Sequence, residues 1–142
     1  MRAIDLDRPF TLGEHTAVAK MRFEESEMFP VTKVMFGCFS DGGVVEMEIE
    51  PYKTGKGLVD LYSEEGPLID RQTLIDSRVA ESSRRRGPEA PLEVNGFPAI
   101  YYAGVCGEEE VPFLMVFGVG ESQPGRMQLV ISGIWRLVFS DQ

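Results

Sequence analysis

The chain has 142 residues, 43% of them apolar and 10% aromatic, and a formal net charge of −9 from 23 acidic against 14 basic side chains. That length fits a single domain, residues 1–142, able to bury a core without staples. The apolar content argues against a disordered acidic chain, and the charge argues against nucleic acid or an anionic membrane as partner.

The opening MRAIDLDRPF lacks the apolar core of a signal peptide, and no apolar run reaches membrane-spanning length, so the expected location is cytoplasmic. His15 is the only histidine, which excludes His-rich metal sites and leaves no Ser-His-Asp triad, since no nucleophile elbow accompanies it. AVAKMRFEE alternates as a strand, with Ala17, Ala19, Met21 and Phe23 on one face. TKVMFGCFSDGGVVEMEIE reads as two strands around a turn at Ser40–Gly43, with Val45, Met47 and Ile49 inward and Glu46, Glu48 and Glu50 in solvent. Cys38 and Cys106 both sit in apolar stretches. Buried free thiols are the expectation, although spacing alone leaves their pairing open. YKTGKGLVDLY lacks the full phosphate-loop spacing and reads as a turn.

Over residues 67–86 the period changes. Leu68, Ile75 and Val79 fall on one helical stripe with Leu74 at its margin, and Pro67 suits the first helical position. Glu64 and Glu65 lie where the positive end of the dipole would be. Arg84, Arg85 and Arg86 lie at the negative end, before Gly87-Pro88 as a stop. The arginine run is therefore expected to complement a helix C-terminus rather than to bind an anion.

Strand signals return after the helix. LEVNGFPAIYYAGV carries an Asn95-Gly96 hairpin turn, VPFLMVFGVG is a nearly continuous apolar run, and ESQPG turns the chain into RMQLVISGI. GVGESQPG has Gln123 at the last glycine place of a dinucleotide loop, and a turn follows instead of a helix. The tail IWRLVFSDQ fits either helix or strand. The acidic clusters at 46–50 and 108–110 read as solvated surface.

The helix, the N-G-x-P-A hairpin at Asn95, Gly96, Pro98 and Ala99, and the strand pair after it resemble the PsbP-like α/β/α sandwich group, which includes bacterial DcrB-like proteins. The resemblance covers about residues 67–134. It implies a non-catalytic, chaperone-like or assembly factor that presents a sheet face or groove to protein partners.

The expected fold is α+β: a mostly antiparallel sheet of about five to seven strands with one main amphipathic helix, 67–86, packed on one face. Strands 99–105, 111–119 and 127–134 are apolar on both faces, and one helix shelters only one of them. The other face then meets the chain ends, residues 1–16 and 134–142, a second sheet, or another molecule. The leading expectation is a protein-binding adaptor, a homodimer or a complex with another protein. Ile100, Tyr102, Leu114, Val116 and Val130 would form its apolar face. The alternative is an enzyme or small-ligand binder with a pocket between helix and sheet, lined by Tyr101, Arg78 or Cys106. No catalytic residue, metal or cofactor is assigned.

Overall fold

The computed structural model describes residues 2–26, 31–63 and 65–140. In chain order the elements are β1 (Arg2–Ala3), β2 (Phe10–His15), β3 (Arg22–Glu25), β4 (Thr32–Gly37), β5 (Val44–Ile49), β6 (Lys56–Gly57), α1 (Val59–Tyr62), α2 (Arg71–Asp76), β7 (Glu93–Val94), β8 (Phe97–Cys106), β9 (Val111–Gln123) and β10 (Arg126–Phe139). Among the described residues no helix is long and apolar enough to cross a membrane.

Strands β8, β9 and β10 form an antiparallel meander that centres an eight-stranded sheet. Short strands share its edges: β1, β6 and β7 pair with β8, while β2 and β3 divide the far side of β10. The tail is strand, because β10 continues to Phe139 with β2 as neighbour.

Each face of the meander has its own core. On one side β4 and β5 stack as a separate two-stranded sheet, placing Val34, Phe36, Met47 and Ile49 against Phe113, Met115, Phe117, Leu129, Ile131 and Ile134. On the other side the stretch from Leu58 to Leu92 lays Leu58, Leu61, Leu74, Val79 and Leu92 on Tyr101, Leu114, Val116 and Val130. Strand β9 serves both cores, since alternate side chains of a strand point to opposite faces. The N-terminal segment pairs at the margins as β1 and β2 and puts Phe10 into the core on the α2 side with Ile4, Leu6 and Leu12 against it, while the C-terminal residues continue β10 between β9 and β2.

The main helix expected over 67–86 is absent, and the fold is largely all-β. The helical residues of that region are Arg71–Asp76. The first helical residue is Arg71, not Pro67, and Asp70 caps α2, its carboxylate accepting from Thr73 N at 3.3 Å. After Ser77 the chain leaves the helix through Arg78 at φ 58°, and Glu81 then pairs with Glu93 as a β-bridge. Ser77, Ser82 and Ser83 disfavour a continued helix because their hydroxyls compete for backbone groups, and Ser83 Oγ indeed accepts from Arg86 N at 3.0 Å. The free edge at Glu93 offers these residues a β partner that a helix would forgo. Arg84–Arg86 consequently occupy an exposed turn closed by the Ser83–Gly87 bridge, and cap no helix. Glu64 lies outside the described residues. Replacing Asp70 by Ala should cost roughly 1 kcal/mol, the usual value of an N-cap, and Asn should largely restore it; urea unfolding of the two variants checks this.

AVAKMRFEE is likewise broken. Val18 bridges to Phe36, and a new strand begins at Arg22. The interruption brings Val18 and Phe23, expected on opposite faces, into one core. A register shift between Ile131 and Gly133 does the same in β10, turning Ile134 to the face of Leu129 and Ile131.

Cys38 and Cys106 are buried, as expected, but joined in a disulfide, with Cα atoms 6.0 Å apart. It ties the end of β4 to the end of β8, and so the stacked hairpin to the central sheet.

Candidate functional site

The five residues expected to form one binding face are divided by the sheet. Pairing sets Tyr101 opposite Val116 and Ala103 opposite Leu114, whereas Ile100 faces Phe117 and Tyr102 faces Met115. Leu114, Val116 and Val130 therefore lie on the side of α2, and Ile100 and Tyr102 on the side of the β4–β5 hairpin. Leu114 and Val116 are fully enclosed and Val130 is 7% exposed; Ile100 and Tyr102 are half-buried. The three residues proposed for a pocket are also separated. Tyr101 borders a small recess beside Lys56, Cys106 a cleft beside Arg2 and Glu110, and Arg78 a third cavity. Burial raises the Tyr101 and Tyr102 phenols above their ordinary values, so both stay protonated near neutral pH.

The cavity at Arg78 has the features of a binding site. It is an open cleft of about 380 Å³ between α2 with the chain leaving it, β7, and residues of β3 and β10. Its floor is apolar: Ile75, Val79, Ala80, Val94 and Val130. Arg22 and Arg78 stand among its walls with Glu81, Glu93, Asn95 and Ser132.

Local sequence explains this construction. Ser132 sits at the irregularity in β10, so its hydroxyl leaves the regular alternation and donates to Val79 O at 2.6 Å and to Arg78 O at 3.3 Å. Those bonds and the fully buried Val79 hold Arg78 in the left-handed region, which costs a non-glycine residue of order 1–3 kcal/mol unless its surroundings enforce it. Arg22 is placed by β3, where it pairs with Val130. The opposite wall is β7 and its turn: Asn95 and Gly96 have φ 53° and 82°, the signs a tight hairpin turn requires. Gly118 lets β7 lie close over the meander, because a Cβ there would stand 2.5 Å from Val94 O.

A second cavity of about 430 Å³ adjoins the first, with Glu81, Glu93 and Asn95 common to both. Arg84 and Arg85 line it, together with Glu121, Phe97 and Gln128. Asn95 Nδ2 donates to Gln128 Oε1 at 3.0 Å, fixing the turn between the two cavities. Four of the chain's ten arginines thus gather along one groove, on a protein of net charge −9. None of the four takes part in an ion pair among the described residues.

Compared with family models, curated proteins and solved structures, the chain gives no match.

Ser132, the hydroxyl of the first cavity, is turned to two carbonyls and not to a base. His15 lies exposed on β2 opposite Trp135, and both cysteines are in the bridge. Sequence reasoning named Arg78 as a pocket residue but passed over Arg22, Asn95 and Ser132. The one available signal was Ser132-Gly133 inside an otherwise apolar strand, a pattern that marks bulges.

Proposed function

We propose that the chain is a small-molecule-binding protein whose cavity at Arg78 takes an organic anion. The anion's apolar body lies on Ile75, Val94 and Val130, and its charged group lies between Arg22 and Arg78. The observation that carries this reading is an apolar floor flanked by two arginines that lack ion partners among the described residues. The volume suits a small ligand, since such sites run from roughly 300 to 1,000 Å³. Guanidinium groups bind carboxylates in a forked geometry, and a half-dry cleft strengthens the attraction.

This reading replaces the adaptor face as the preferred one, because Leu114 and Val116 are fully buried under the chain's own second layer. A protein partner or a second copy would have to use some other surface. We also propose an oxidising compartment in place of the cytoplasm, where thiols are kept reduced and a bridge such as Cys38–Cys106 is uncommon.

Decanoate is a suitable probe, having one carboxylate on an apolar chain. Calorimetric titration should show saturable binding. Arg78→Asn, which tolerates the left-handed backbone, and Arg22→Gln should each weaken it by roughly 10- to 100-fold, the worth of about 1.5–3 kcal/mol for a charged hydrogen bond. Equal affinity for wild type and both variants would remove the assignment.

A further inference from the structure

The groove carries more charge than a single anionic group requires, and the charge is ordered. Arg22 and Arg78 lie in the first cavity, Glu81 and Glu93 on the wall common to both, and Arg84 and Arg85 in the second. The two glutamates in the middle are set side by side by their main chain. Glu81 N donates to Glu93 O at 2.9 Å and Glu93 N to Glu81 O at 2.8 Å, which sets two like charges opposite one another. Such a pair is unfavourable by itself, and arginines line the cavity on each side of it.

The arginine turn is also anchored. Ser83 is 4% exposed, its residue bridges to Gly87, and its hydroxyl accepts from Arg86 N. Arg84 and Arg85 therefore project from a fixed turn into the second cavity, while Arg86 is not among its lining residues. Glu121, on the far side of that cavity, already accepts from Gly125 N at 2.8 Å.

Resting on the anion-cleft reading above, we propose that the natural ligand is a two-headed anion. One anionic group is held by Arg22 and Arg78, a second by Arg84 and Arg85, and an uncharged spacer passes Glu81 and Glu93. The spacer is neutral because the two carboxylates would repel an anion placed midway. Val94 lines the first cavity and Phe97 the second, on either side of the Asn95-Gly96 turn, so an apolar side chain stands at each end of the shared wall. This assigns the arginine run a ligand instead of a helix end. It also accounts for two of the three adjacent cations, Arg84 and Arg85, on an otherwise acidic chain.

The test is a calorimetric series on the full chain with the unbranched α,ω-dicarboxylates from butanedioate to hexadecanedioate, each beside the monocarboxylate of equal length. The double variant Arg84→Ser/Arg85→Ser is titrated in parallel; both side chains are exposed and outside the core. We expect the diacid to bind about tenfold tighter than its monoacid at one favoured chain length, and butanedioate, too short to span, to gain nothing. In the double variant that advantage should vanish while the monoacid keeps its wild-type affinity. Diacids no tighter than monoacids at every length, or an advantage that survives the double substitution, would overturn the two-headed ligand and leave the single-anion cleft standing. Absence of binding by both series would overturn the cleft and this extension together.

Discussion

Opening the Cys38–Cys106 bridge is expected to lower stability by about 2–5 kcal/mol, the usual cost of losing a native disulfide. Its two cysteines are 68 residues apart, and the chain-entropy relation gives roughly 4 kcal/mol for a loop of that size. The location adds to the effect. The β4–β5 hairpin is held on the sheet by Val34, Phe36, Met47 and Ile49, and at one end by the bridge. Cys38→Ala/Cys106→Ala, which leaves two small apolar groups, should lower the urea midpoint without changing the native far-ultraviolet spectrum. Dithiothreitol should have no further effect on that variant but should bring the wild type down to it. A midpoint in wild type that dithiothreitol leaves in place would show that the bridge contributes nothing to the fold.

The parts of this fold that the sequence discloses are those in which neighbours along the chain settle the structure. Glu46 and Glu48 alternate with Met47 and Ile49, so the wet and dry faces of β5 are visible before any coordinates. The Asn95-Gly96 turn and the Ser40–Gly43 loop declare themselves by composition, and both close hairpins. The two-sided apolar character of 99–105 and 111–119 correctly announces a doubly covered sheet. The identity of the cover was hidden. Nothing in the alternation of β4 and β5 says that the hairpin stacks on the sheet instead of extending it. The stripe at Leu68, Ile75 and Val79 has helical spacing, yet those side chains reach the core from a short helix and the irregular chain around it. Their burial is decided by the surface they meet, and the period is coincidental. The groove was less legible still. Arg22, Arg78, Asn95 and Ser132 come from four separate segments, and the bulge that turns Ser132 toward Arg78 belongs to the pairing of β10.

The strongest single-site effect is expected at Leu114. Its side chain is fully buried in the centre of β9, under the α2 layer and beside Tyr101, Val116 and Val130. Leu114→Ala should cost about 3–5 kcal/mol, combining lost transfer energy with a cavity that the flanking strands cannot close. Domains of this kind have about 5–15 kcal/mol in total. Leu114→Ser/Val116→Ser, which also buries two hydroxyls, should therefore leave the chain largely unfolded at 25 °C. A partner-binding face predicts the opposite: a folded, equally stable double variant that has lost only its partner. Val44→Ser supplies the control, because Val44 is 72% exposed on the outer strand of the hairpin and surface changes of that kind fall within about 0.5 kcal/mol. Urea unfolding followed by the fluorescence of Trp135, which packs at the margin of the same core, separates the two. If the Leu114 and Val44 variants share one midpoint, the interior position of β9 is wrong, and with it the cleft that Val130 and Ser132 of β10 help to form.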